Sequence, residues 1–245
     1  RPAIKRAVEL SVAAQARLTI LNVVNAALPD EISHPVQVGA TTILTNQVSE
    51  DLGDRDLDFD IKVVVGDPVE EINALATKTN ADLLIVGLHR KRTFLDQIRE
   101  TTMEHLIRSS RIPILLVARP ADQIYQNALC GIAFSGVCTN ALKTIALVAP
   151  DANVDLFHAH QISFRQEAER EFETWKAVYP IPPNLPAPTY IEGSASDALD
   201  QMFNEQIHDL LVVGGHTRAD GGRYFIGHFT AGLIRNPPCD LLIGK

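Results

Sequence analysis

The chain has 245 residues, a net charge of −8 at neutral pH, 46% hydrophobic residues and three cysteines. That size admits one large domain or two of about 120 residues, with enough apolar content for a core in each. The basic residues are scattered, which argues against a nucleic-acid partner, and no apolar run approaches the roughly 18 residues of a membrane span.

The predicted elements run as follows. Pro2–Ala16 has helical apolar spacing, and Leu18–Val24 reads as a strand. Asn25–Leu44 contains Pro29, Pro35 and Gly39 and reads as a long loop before a helix over Thr42–Gly53. The strand Ile61–Val65 ends at Gly66-Asp67-Pro68, where Pro68 and the acids Glu70 and Glu71 open a helix over Val69–Thr79. Ala81–Gly87 follows as an unbroken apolar run, the pattern of a strand covered on both faces and hence of a parallel sheet. A polar loop Leu88–Thr93, a helix near Thr101–Ser109 and a strand Ile114–Ala118 complete the first half.

After a polar linker the second half has a strand Leu129–Phe134, a helix Asn140–Val148 and a strand Asp155–His160. A charged helix Arg165–Val178 turns Phe172, Trp175 and Val178 inward. A Pro-rich loop Pro180–Pro188 leads to a strand Thr189–Glu192 and a helix Ala198–Gln206. Then come the strand Leu210–Val213, a long loop His216–Tyr224, a helix Gly227–Arg235 and a strand Leu241–Ile243.

The two halves repeat. In one gap-free register Gly66 pairs with Gly193, Asp82 with Asp209, Gly87 with Gly214 and His89 with His216, and Leu106-Ile107-Arg108 falls on Leu233-Ile234-Arg235. Residues 1–119 and 128–245 are therefore expected to be two units joined by a linker, 120–127. The alternation of strands and helices predicts two tandem five-stranded parallel sheets, each in a three-layer α/β/α sandwich. Ligands of such sheets sit at the carboxyl ends of the strands, where the strand order reverses. The first half opens on a helix and the second on a strand, so a matching first strand is expected ahead of Arg1.

These residues resemble a tandem universal stress protein. The resemblance rests on Gly66-Asp67-Pro68, on Ala81–Gly87 and on Ile112-Pro113-Ile114-Leu115-Leu116-Val117. Asp209–Gly214 and Cys239-Asp240-Leu241-Leu242-Ile243 match more loosely. It implies a Rossmann-like fold with a nucleotide loop spaced Gly-x2-Gly-x9-Gly-Ser/Thr, and an Asp at the end of the first strand. Both halves depart from that pattern. The first reads Gly87, Arg90, Glu100 and Thr101, which sets a carboxylate where phosphate oxygens would lie. The second reads Gly214, Thr217, Gly227 and His228, with Gly215 beside them; Ala133, Phe134 and Ser135 end its first strand, and Ser135 stands in the Asp position.

The resemblance thus implies a stress-response protein with degenerate nucleotide loops that acts mainly through protein contacts. The alternative is a regulator that binds ATP or another adenine nucleotide in the second unit alone. Neither reading assigns a catalytic residue or a metal. The family pairs its subunits through closing strands, so Ile114–Ala118 and Leu241–Ile243 are expected to pair within the chain, with a further homodimer left open.

Other residues carry weaker signals. His158 and His160 share one face of a strand, but no acidic or thiol partner is evident by spacing. His89 and His216 suit loop-anchoring hydrogen bonds, and Asp82 and Asp209 suit a turn or a cap. His89-Arg90-Lys91-Arg92 reads as a solvated loop, and Ser135 lacks a Gly-x-Ser-x-Gly elbow. Cys130, Cys138 and Cys239 show no metal spacing, which suits buried thiols in a reducing cytoplasm.

Overall fold

The apolar runs of both halves become strands of one sheet. A computed structural model describes residues 2–25, 29–88, 102–120, 123–182, 184–215, 217–220 and 223–245. The first half contains α1 (Pro2–Ala13), β1 (Leu18–Asn25), α2 (Asp30–Leu52), β2 (Phe59–Gly66), α3 (Pro68–Thr79), β3 (Leu84–Gly87), α4 (Thr102–Ser109) and β4 (Ile114–Val117). The second half opens with β5 (Asn127–Gly131), α5 (Gly136–Val148), β6 (Asn153–His160), α6 (Arg165–Val178), β7 (Thr189–Glu192) and α7 (Ala195–Glu205). It closes with β8 (Leu210–Gly214), β9 (Thr217–Asp220), β10 (Arg223–Ile226), α8 (His228–Arg235) and β11 (Asp240–Gly244).

Seven strands form a sheet in the order β3-β4-β11-β8-β5-β6-β7, and β1 and β2 form a parallel pair of their own. Every pairing in the large sheet is parallel except β4–β11, which is antiparallel with Leu116 opposite Leu241, Leu115 opposite Leu242 and Ile114 opposite Ile243. The second half is thus a complete five-stranded parallel unit. The described strands of the first half fall instead into two pairs, β1–β2 and β3–β4.

Other differences from the sequence expectation are local. The stretch Asn25–Leu44 is largely helical: α2 begins at Asp30 and carries Pro35 inside it. Pro35 removes a single backbone donor near the helix start, and the apolar residues beyond it, including the fully buried Val48, hold the helix. β5 ends at Gly131, and Phe134 turns the chain with a φ of +46°. α5 begins at Gly136 because Ser135 caps it, and α7 begins at Ala195 behind a Ser194–Asp197 capping box. Where a long loop was expected, β9 and β10 pair antiparallel, Thr217 facing Ile226. In α6, Phe172 and Trp175 are buried, whereas Val178 points to solvent.

Two apolar layers sandwich the large sheet. Leu211, Val213, Leu241 and Ile243 pack with Leu199 of α7 and with Leu233 and Ile234 of α8. Leu210, Val212 and Leu242 pack on the opposite face with Ala141, Leu142 and Ile145 of α5. Each such side chain contributes about 1.5–3 kcal/mol when fully withdrawn from water.

Polar groups fasten the same junction. Asp240, 2% exposed, accepts the Tyr125 hydroxyl at 2.6 Å and the amides of Ala118 and Arg119 at 2.8 and 3.1 Å. Arg6 of α1 approaches the same carboxylate at 3.8 Å and lies over the Tyr125 ring. Arg235 of α8 bonds Glu104 of α4 at 2.6 Å.

Cys130 and Cys239 lie in the core, where burial raises Cys130 and pushes the Cys239 thiol from 9.0 up to about 12. Both thiols hold their protons more tightly in the folded state. Their contribution to stability is complete below about pH 9 and drains away as the pH rises above it, for Cys239 up to about 12. Denaturation curves collected between about pH 8 and about pH 11 should show stability falling, by up to about 1.4 kcal/mol per pH unit for each thiol. Cys239→Ala should flatten that slope, and an unchanged slope would refute the assignment.

Candidate functional site

In the second half the strand order reverses between β5 and β8: the chain proceeds from β5 outward to β6 and β7, and from β8 the other way to β11. β5 and β8 run parallel with Gly131 opposite Val213, so residues 132–135 leave the sheet beside Gly214. The fold therefore brings Ala133, Phe134 and Ser135 to the same end of the sheet as Gly214 and Gly215.

The β5 side of this end is filled and its polar groups are engaged. The Phe134 ring stacks on His158 with centroids 4.3 Å apart and leans on Phe172 and Trp175. Ser135 Oγ accepts from the Cys138 amide as the cap of α5, and the Ser135 carbonyl accepts from Trp175 Nε1 at 3.0 Å. The Ala133 amide points to Cys138 Sγ at 3.3 Å. His158 donates through Nδ1 to the Ile132 carbonyl at 2.9 Å, and burial holds its imidazole below the ordinary value and so neutral.

The β8 side is tight at the strand end. Gly215 donates its amide to the Gly244 carbonyl at 2.9 Å, and a Cβ on Gly215 would lie 2.6 Å from that oxygen. Only glycine allows this approach. The stem of Lys245 lies 3.6 Å from the same Cβ position, its ammonium donates to the Ile107 carbonyl of α4, and burial lowers its pKa. Lys245 is the cation that sequence reasoning missed, and its only signal was its place directly after the last strand.

Thr217 lies in β9, its backbone committed to the hairpin rather than to an open loop. Gly227 caps α8 with a φ of −56°, and among the described residues a Cβ there would meet nothing within 4 Å. His228 follows as the exposed first residue of α8. In the first half Gly87 ends β3, with Ala3 of α1 3.2 Å from where its Cβ would be. His89, Arg90, Glu100, Thr101 and His216 lie outside the described residues.

His158 and His160 do share a cavity, of about 340 Å³, with Glu167 and Glu171 of α6. Sequence spacing had offered these imidazoles no acidic partner; the packing of α6 on β6 brings two glutamates to the wall of the same cavity. Among the described residues, however, no three His, Cys, Asp or Glu side chains are placed to hold a metal ion. Asp209 accepts the amides of Gln126 and Asn127 at 2.7 and 3.1 Å, far from the carboxyl ends of the strands.

Residues 1–118 match the model of the universal stress protein family. Residues 1–118 thus form a universal stress protein domain. Its fold extends over both halves. A universal stress protein from Archaeoglobus fulgidus superposes with a TM-score of 0.76 at 15% identity, covering 99% of this chain and 91% of that one. A functionally unknown protein from Pseudomonas aeruginosa gives 0.67 at 18% identity, over 97% of this chain and 86% of its own. Such identities speak to the fold alone. No curated protein matches the chain. Among the described residues no helix is long and apolar enough to cross a membrane.

Proposed function

We propose that this chain is a family member that acts through protein contacts, without catalysis, and with little remaining affinity for nucleotide. The observation that carries this reading is the filled carboxyl end of β5. Phe134 covers His158 there, and the Ser135 hydroxyl and carbonyl serve a helix cap and Trp175. A ligand base would have to displace a packed aromatic cluster to enter. Residues 1–119 and 128–245 serve as a pseudo-dimer joined by 120–127, a reading supported by the antiparallel β4–β11 ladder. Contact surface is at hand on α2, where Ile32, Val36 and Ile43 follow helical spacing and are 51%, 37% and 64% exposed.

The room that the described residues leave at Gly227, the amino end of α8, favours a second reading, in which ATP or another adenine nucleotide loads the second unit alone. A thermal-shift titration with ATP plus magnesium, and with AMP, separates the two. The first reading expects a flat response at millimolar nucleotide. A saturating rise would favour the second, provided that Gly227→Asp abolishes it. Asp caps helices well and the position has room, so this variant should fold while repelling phosphate.

A further inference from the structure

Two imidazoles on one face of a strand meet two carboxylates on one face of a helix. His158 and His160 stand two residues apart on β6, so they share a side of the sheet with Cα atoms about 6.5–7 Å apart. Glu167 and Glu171 stand four apart on α6, with Cβ atoms about 5–6 Å apart. All four line the cavity of about 340 Å³, with Phe164 at its wall. β6 is bonded to β5 on one side and β7 on the other, so the cavity lies on a sheet face and is not a vacant strand edge.

Each imidazole keeps one nitrogen for the cavity. His158 Nδ1 bonds the Ile132 carbonyl at 2.9 Å, and His160 Nδ1 bonds the Gln161 carbonyl at 2.8 Å. A carbonyl only accepts, so the proton of each neutral ring sits on Nδ1 and Nε2 is an acceptor. His160 is 9% exposed, and among the described residues its Nε2 has no hydrogen-bond partner. A buried acceptor that lines a cavity and bonds nothing calls for a donor there. The carboxylates are equally uncommitted. Arg165 and Lys176 of α6 bond Glu169 and Glu173, and among the described residues no ion pair engages Glu167 or Glu171.

We infer that this cavity binds a guanidinium group carried on a short apolar stem. The two Nε2 atoms and two carboxylates are all acceptors, and the carboxylates repel an anion, so the fitting occupant is a cation rich in donors. Among the described residues no three side chains are placed to hold a metal ion, so that cation is organic. The acceptors are spread by about 5–7 Å along each wall. An ammonium is a compact point charge, whereas a guanidinium holds five donors in a planar fork that bridges separated acceptors. Phe164, 50% exposed, offers its ring to the stem and to the face of the cation. A free small guanidine and an arginine side chain of a partner protein carry this same group. The inference goes beyond the proposed function and holds whether or not nucleotide binds.

The test titrates the full chain with benzylguanidine, and separately with the blocked peptide acetyl-Gly-Arg-Gly-amide, by isothermal calorimetry. Saturable one-to-one binding is expected, with a Kd of about 1 mM or tighter for the better probe. Tighter binding of the peptide assigns the site to an arginine side chain and tighter binding of benzylguanidine to a small guanidine; both support the inference. Benzylurea, the neutral isostere, should bind at least about tenfold more weakly, and benzylamine about three- to tenfold more weakly. Glu167→Gln combined with Glu171→Gln should weaken the better probe at least about tenfold. Both glutamates are exposed, so the melting temperature of that variant should not change. The same titration followed by NMR should shift the imidazole signals of His158 and His160. Failure of both probes to saturate at about 10 mM would overturn the inference. So would equal binding of benzylurea, full affinity in the double variant, unmoved imidazole signals, or displacement of the probe by micromolar zinc chloride.

Discussion

Asp240→Ala is expected to cost about 3–5 kcal/mol of folding free energy, the range for removing one member of a buried charge cluster. The carboxylate is 2% exposed and accepts three hydrogen bonds, from Tyr125 and from the amides of Ala118 and Arg119, while Arg6 approaches it from α1. Truncation leaves two main-chain donors, a phenol and a guanidinium inside the protein without their shared acceptor. Among the described residues Arg6 keeps its bond to the Gln123 carbonyl at 2.8 Å, its contact with Glu9 and its place over the Tyr125 ring. Tyr125→Phe removes one bond and should cost about 1–2 kcal/mol, so the two substitutions rank the cluster. Denaturant titration of both variants checks this. An Asp240→Ala loss no larger than that of Tyr125→Phe would show that the cluster is not the fastening of α1 and the linker to β11. Burial and the neighbouring Asp240 charge also hold the Tyr125 phenol well above its ordinary range, which keeps it a donor at any moderate pH.

The sequence is most legible where short-range pattern and final environment agree. Leu210–Val213 is apolar without alternation, and in a strand that pattern fits only an interior covered on both faces, which is where β8 lies. Asp67-Pro68 announced α3 because its signals are local: the Asp67 side chain accepts the amides of Val69 and Glu70, and Pro68 has no amide to satisfy. α2 was hidden for the converse reason. Pro35 and Gly39 are local breakers, and only tertiary packing of residues such as Val48 outweighs them. At the site, the repeat pointed to Gly214 and the spacing implied by the resemblance pointed to Gly227, but nothing local foretold the turn at Phe134. A non-glycine residue with a φ of +46° is held there by its ring, packed against His158, Phe172 and Trp175. Asp240, Tyr125 and Lys245 were equally silent, because their partners lie more than a hundred residues away in sequence.

Leu115→Ala and Leu242→Ala should each cost about 2–5 kcal/mol, and the double variant should cost less than their sum by about 0.5–3 kcal/mol. The two residues face each other across the antiparallel β4–β11 ladder, and both are fully buried. Their side chains lie in one cluster with Ala141 and Ile145 of α5, so either truncation opens a cavity on the same side of the sheet. The second truncation enlarges an existing void rather than opening a new one, and it removes a contact that the first has already lost. Coupling of that sign follows only if the two halves of the chain share a single core at this ladder. Chemical denaturation of the wild-type chain, the two single variants and the double variant measures it. Strict additivity, or two separate unfolding transitions in the wild-type chain, would mean that β4 and β11 merely abut and that each half carries its own stability. A subadditive cycle within one transition would mean that the antiparallel ladder makes the two units one cooperative body, so that a partner docking on either half is felt by the other.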